Sequence, residues 1–182
     1  MAAVALLSLT ACSSKGDLSQ MSSMNFASAR MDHQTTFGLD PARRDAAVEI
    51  AAAMRAKGQR VWCVPFARNA SGIELRGNAR TWWGQAEGSY LRRHSPAPGA
   101  VMVFKGTKSM PMGHVAVVSK IVDSRKVLVD HANWKRNQVS LGMEVIDVSA
   151  KNDWSEVRVR SSSAAYGRNY PVYGFIQNIN RG

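Results

Sequence analysis

The sequence is poor in cysteine and in acidic side chains, and none of its apolar runs is long. Only Cys12 and Cys63 occur among 182 residues, which excludes a domain stapled by several disulfides. No pairing of Cys and His has zinc-ligand spacing, which argues against a metal site. Asp and Glu number 13 against 24 Lys and Arg, a formal charge of +11. Such an excess implies contact with something anionic: nucleic acid, a membrane surface or an acidic wall polymer. Yet the basic residues fall in scattered pairs (Arg43-Arg44, Arg92-Arg93, Arg125-Lys126, Lys135-Arg136), and no run of five like charges forms a nucleic-acid tail. No repeat and no low-complexity tract appears after residue 40.

The apolar stretch from Ala2 to Leu9 ends in Leu9-Thr10-Ala11-Cys12 and gives way to polar residues 13–17. It is about half the ~20 residues a helix needs to cross a bilayer, so residues 1–11 read as a secretion signal. No Lys or Arg precedes it, a departure from the usual signal. The Leu-Thr-Ala-Cys sequence resembles the bacterial lipobox. That resemblance implies an acylated Cys12 as mature N-terminus, a lipid anchor in the membrane, and a place in the cell envelope facing the periplasm. Residues 12–40 are rich in Ser, Met, Ala and Gln without apolar periodicity, and read as a flexible tether. Residues 41–182 remain as a single domain with one core.

Within that domain, Asp40-Pro41 places an N-cap and a first-turn proline at the start of a helix. Ala47, Ile50, Ala51 and Met54 give it an apolar stripe, and Gly58 stops it. A short helix is expected over 63–70, closed by Ser71-Gly72, and another over 79–87. After the turn at 96–99 the pattern changes to β-branched runs at 101–104, 114–121, 126–131, 143–148, 157–160 and 172–177. Helices first and strands afterwards predict an α+β fold, N-terminal helices packed on an antiparallel sheet.

Cys63 has no internal disulfide partner if Cys12 carries lipid, so an oxidisable thiol stands alone in an oxidising compartment. Burial as a small hydrophobe is one reason for its presence; catalysis is the other. A nucleophilic thiol needs its proton removed, and a helix start and a nearby imidazole both favour that. Cys63 opens the 63–70 helix, with Pro65 in its first turn. Among the histidines, His33 lies in the tether and His94 beside two arginines, whereas His114 and His131 stand at strand ends. Strand alternation puts His131 and Asn133 on one face and Asp130 on the other. A third polar group must orient the base imidazole. His131 is the first choice for that role, Asn133 the second, and Asp130 a weaker one.

The block Cys63-Val64-Pro65-Phe66-Ala67-Arg68, followed by Pro98-Gly99-Ala100-Val101-Met102-Val103-Phe104, by Gly113-His114-Val115-Ala116-Val117-Val118 and by Asn133-Trp134, resembles the CHAP family, the cysteine, histidine-dependent amidohydrolases/peptidases. The resemblance spans about residues 45–150. It implies a papain-like α+β fold and hydrolysis of amide bonds in peptidoglycan through a thioester on Cys63. His114 would be base and then acid, and neither cofactor nor metal is called for. The family's third position commonly holds an acidic residue two places before the Asn-Trp pair. His131 stands there instead, while Asn133 matches the family's Asn. That substitution keeps a rival open, a catalytically silent lipoprotein that binds or regulates cell-wall machinery. A nucleic-acid-binding role is disfavoured by the secretion signal and the scattered charge. A mass spectrum of the mature N-terminus should show Cys12 acylated; an unmodified Met1 would remove the anchor.

Overall fold

The computed structural model describes residues 38–162 and 165–178. The signal, Cys12, His33 and most of the tether lie outside the described residues.

Helix α1 (Pro41–Ala56) starts as its sequence requires: the Asp40 carboxylate accepts from the N–H groups of Ala42 at 2.9 Å and Arg43 at 3.3 Å. Its buried contacts are the small residues Ala47 and Ala51, which let it lie close on helix α2 (Cys63–Ser71). Ile50, expected in the stripe, is 47% exposed, because the buried face is narrower than the apolar one. Helix α2 buries Phe66, Ala67 and Ala70 and ends at Gly72 in the left-handed conformation. The expected 79–87 helix is a 3-10 turn, Ala79–Thr81, running into a single turn α3, Trp82–Gln85.

Seven antiparallel strands follow: β1 (Leu91–Arg93), β2 (Val101–Phe104), β3 (His114–Asp123), β4 (Lys126–Ala132), β5 (Val139–Asp147), β6 (Glu156–Arg160) and β7 (Tyr166–Gln177). Their order is β1-β7-β2-β3-β4-β5-β6, and β6 also pairs with β7. Six strands thus close into a barrel-like ring, with β1 added outside β7. The α+β class stands, with the sheet closed on itself. The closure depends on the length of β7. Its first half pairs with β6 from Tyr166 to Pro171, and its second half pairs with β2 from Val172 to Ile176. Gly174 sits at the irregular step in the β2 pairing with φ 146°; a Cβ there would stand 2.5 Å from the Arg93 carbonyl oxygen and 2.7 Å from the Trp83 ring.

Alternation along β2 and β3 sorts the apolar side chains into two cores. Val101, Val103, Val115 and Val117 face the helices, with Phe66, Ala67, Ala70 and Trp82. Met102, Phe104, Ala116 and Val118 face the ring's interior, with Val127, Val129, Val157 and Phe175. Burial on both faces explains why β2 reads as the unbroken apolar run VMVF. One buried ion pair fastens the helical layer to the sheet. Asp130 of β4 accepts from Arg44 Nε of α1 at 2.6 Å and from the Gly142 N–H at 2.7 Å. Its side chain is wholly buried. Asp130 therefore serves the α1–sheet contact and is committed away from the imidazoles.

Candidate active site

The first turn of α2 and the adjoining ends of β3 and β4 meet at a cleft of about 470 Å³. Cys63, His114, Asn133 and Trp134 line it, with the segment Ser109–Gly113 and with Arg60, Trp62, Arg168 and Tyr170. The chain enters α2 with Trp62 extended, so Cys63 is the first helical residue. The main-chain groups of Val115, Val64 and Cys63 itself favour the ionised form of the Cys63 sulfur. Among the described residues' hydrogen bonds, none joins Cys63 directly to His114.

His114 is set by the glycine before it. Gly113 has φ 69°, and a Cβ there would lie 2.8 Å from both the Arg80 main-chain nitrogen and the Phe104 carbonyl oxygen. Only glycine lets β3 begin so tightly against these neighbours. The imidazole of His114 is then boxed by aromatic rings: Phe104 at 5.6 Å and Trp134 at 5.0 Å between centroids. Trp134 also stacks on His131 at 5.5 Å. Both histidines are buried, 4% and 1% exposed.

His114 Nε2 lies 3.0 Å from His131 Nδ1, and His131 Nε2 lies 3.2 Å from the sulfur of Met143 on β5. A thioether has no proton to give, so His131 Nε2 must be the donor to Met143. In a neutral imidazole the other nitrogen is then an acceptor, so His131 Nδ1 accepts from His114 Nε2–H. The remaining nitrogen of His114, Nδ1, carries a lone pair. Three residues in a row thus fix where one proton-accepting atom stands. Met143 was read from sequence only as the start of a strand, because apolar alternation gives no sign that a sulfur caps an imidazole.

Burial makes both rings neutral. It lowers the His131 pKa to about 3, and burial together with the neighbouring His131 holds His114 well below the ordinary 6.5. Burial likewise pushes the Cys63 thiol up, opposed by the main-chain groups of Val115, Val64 and Cys63. Desolvation of the sulfur outweighs these main-chain contributions, so the thiol in this cleft is harder to ionise than a free one.

Asn133 stands differently from the alternation that grouped it with His131. Strand β4 ends at Ala132, and Asn133 takes a left-handed φ of 62° in the turn that follows. Its side-chain carbonyl accepts from the Asn137 N–H at 2.9 Å, and the Asn137 side-chain carbonyl accepts from the Val61 N–H at 2.9 Å. Asn133 thereby steadies the approach to Cys63, while His131 is the polar partner on His114. His94 lies away from the cleft lining and packs on Trp83, at 5.6 Å between ring centroids. Among the described residues, no group of three or more His, Cys, Asp or Glu is placed to hold a metal ion.

These features define an α+β domain in which a thiol at a helix start and a strand-borne imidazole, bonded to a second imidazole, line one cleft. Residues 54–133 match the family model of the CHAP domain, so the family resemblance read from the motifs is a finding over that segment. The segment runs from the end of α1 through Cys63 and His114 to Asn133. The family is one of peptidoglycan-related hydrolases and amidases. None of the curated proteins matches this chain.

Unfolding would free His131 to take up a proton near 6.5, whereas the folded ring does so only at about 3. Between those values the unfolded chain binds more protons, so stability must fall as the pH is lowered through 6.5. His131 alone should cost about 2 kcal/mol between neutrality and about pH 5. Thermal midpoints measured over that range should drop for the natural protein and drop less for His131→Asn. Equal slopes in the two proteins would show that the ring is not held neutral.

Proposed function

We propose that this protein is a cysteine-dependent amidase or endopeptidase acting on peptidoglycan. The observation that supports the reading is the 3.0 Å contact of His114 Nε2 with His131 Nδ1, capped by Met143, in an imidazole that lines the same cleft as Cys63.

Neutral partners call for general-base rather than ion-pair chemistry. The sulfur of Cys63 attacks the carbonyl carbon of a bound amide while its proton passes to His114 Nδ1. The carbonyl oxygen gains the electron pair and is met by main-chain N–H groups at the start of α2. As His114 becomes charged, its Nε2–H bond to His131 Nδ1 strengthens, holding the ring while it carries the proton. Collapse of the intermediate breaks the C–N bond, and His114 gives its proton to the leaving amine. A thioester remains. Water then attacks that thioester, losing a proton to His114 Nδ1, and the carboxylic acid product leaves as the thiol is restored.

The rival reading, a silent wall-binding lipoprotein, draws on the histidine standing where the family commonly has an acid. A neutral imidazole stabilises an imidazolium less than a carboxylate does, so slower turnover follows from the substitution, not silence.

Cys63→Ala should abolish the release of soluble fragments from purified peptidoglycan. His131→Ala should slow release about a hundredfold, and Asn133→Ala less, because Asn133 acts only through the turn. Product masses after digestion identify the bond cut. Undiminished release by Cys63→Ala would overturn the enzyme reading, and a greater loss in Asn133→Ala would move the orienting role to that residue.

A further inference from the structure

Two arginines line the Cys63–His114 cleft, and the described residues lining it include no Asp or Glu. Arg60 and Arg168 form no ion pair among the described residues, although Arg44, Arg68, Arg92, Arg125 and Arg160 each have an acidic neighbour. Two guanidinium charges without an ion-pair partner among the described residues thus share one cleft with the Cys63 and His114 side chains.

Each of the two guanidinium groups also lies over an aromatic ring of the same lining. Arg60 lies 4.0 Å over Trp62, and Arg168 lies 5.1 Å over Tyr170. Trp62, the residue before the nucleophile position, keeps 48% of its surface exposed beneath that arginine. Arg168 further donates one N–H to Ser109 Oγ, which ties β7 to the segment before His114. Stacking fixes the plane of a guanidinium while leaving its edge N–H groups free, so less rotamer freedom is lost when an oxyanion arrives. A planar fork of paired N–H groups matches a carboxylate.

We propose that Arg60 and Arg168 form carboxylate-binding subsites flanking the scissile amide, so that the cleft selects acidic peptides over their amidated counterparts. The inference rests on the amide-hydrolase reading above for its substrate class, and it assigns the anionic partner that the chain's net charge calls for. The +11 charge alone would attract any polyanion. Two stacked, unpaired arginines beside the thiol instead choose carboxylates borne on the peptide being cut. Selection enters through charge-assisted hydrogen bonds at the cleft wall, with the apolar faces of Trp62 and Tyr170 supporting the peptide between them.

The probe is a set of soluble muropeptides prepared in two forms, one with free carboxylates and one with those groups converted to primary amides. Binding is measured by calorimetry to the Cys63→Ala protein, which holds substrate without consuming it, and cleavage is measured with the natural protein. The acidic form should bind about tenfold more tightly, and the preference should shrink as salt is raised. In proteins that also carry Arg60→Met or Arg168→Met the ratio between the two forms should fall toward one, and Lys at either position should restore only part of it. Equal affinity for both forms, an undiminished preference in the two Met variants, or no binding of either form would each overturn the proposal. Cleavage by the natural protein separates the two levels. Cleavage without a preference would sink the carboxylate subsites alone, whereas a binding preference without any cleavage would leave the subsites and sink the enzyme reading.

Discussion

A single hydrogen bond between two buried imidazoles organises this molecule's site. His114 and His131 come from the start of one strand and the end of its neighbour, and their contact buries two titratable rings among Phe104, Trp134 and Met143. Such a contact is stable only if the rings share their protons in one order. Both cannot donate to each other, and two charged rings would repel in a place water does not reach. The thioether of Met143 breaks the symmetry, because it can only accept. A sulfur on β5 thereby sets the proton order of the pair and leaves the lone pair of His114 on Nδ1.

The fold is arranged so that this pair and the thiol are presented from rigid elements. Cys63 begins a helix whose apolar face is seated on β3 and β4, and Gly113 permits the tight start that aims His114. The Arg44–Asp130 pair clamps α1 to the strand that carries His131. Asn133 and Asn137 tie the turn after that strand to the chain just ahead of Cys63. Parts of the site that lie far apart in sequence are thus joined by short hydrogen-bonded links. Burial then tunes them all in one direction, toward neutrality, so the proposed chemistry depends on proton transfer during attack.

Much of this was legible in the sequence because the responsible signals are local. Cys63 at the helix start, Gly72 at its end and the VMVF strand fall where capping and apolar patterning put them. The first halves of β5 and β7 were missed because residues 139–142 and 166–171 contain polar groups, glycine and proline that read as turns. With the first half of β7 went Arg168 and Tyr170, which reach the cleft only because β7 closes the ring. The grouping of Asn133 with His131 failed for a related reason. Alternation holds only while a strand continues, and β4 stops one residue earlier. Met143 had no signal at all, since a methionine in a strand is ordinary core until a neighbour's nitrogen is seen against its sulfur. The thiol's raised pKa was also invisible, because helix position can be read from sequence and desolvation cannot.

Nitrogen NMR of the folded protein labelled at histidine tests the proton order most directly. At neutral pH both rings should give the neutral signature, with Nδ1 unprotonated and Nε2 protonated in His114 and in His131. A proton on Nδ1 of His114, or an imidazolium signal from either ring, would contradict the chain of bonds from Met143 to the cleft and remove the base on which the proposed chemistry depends.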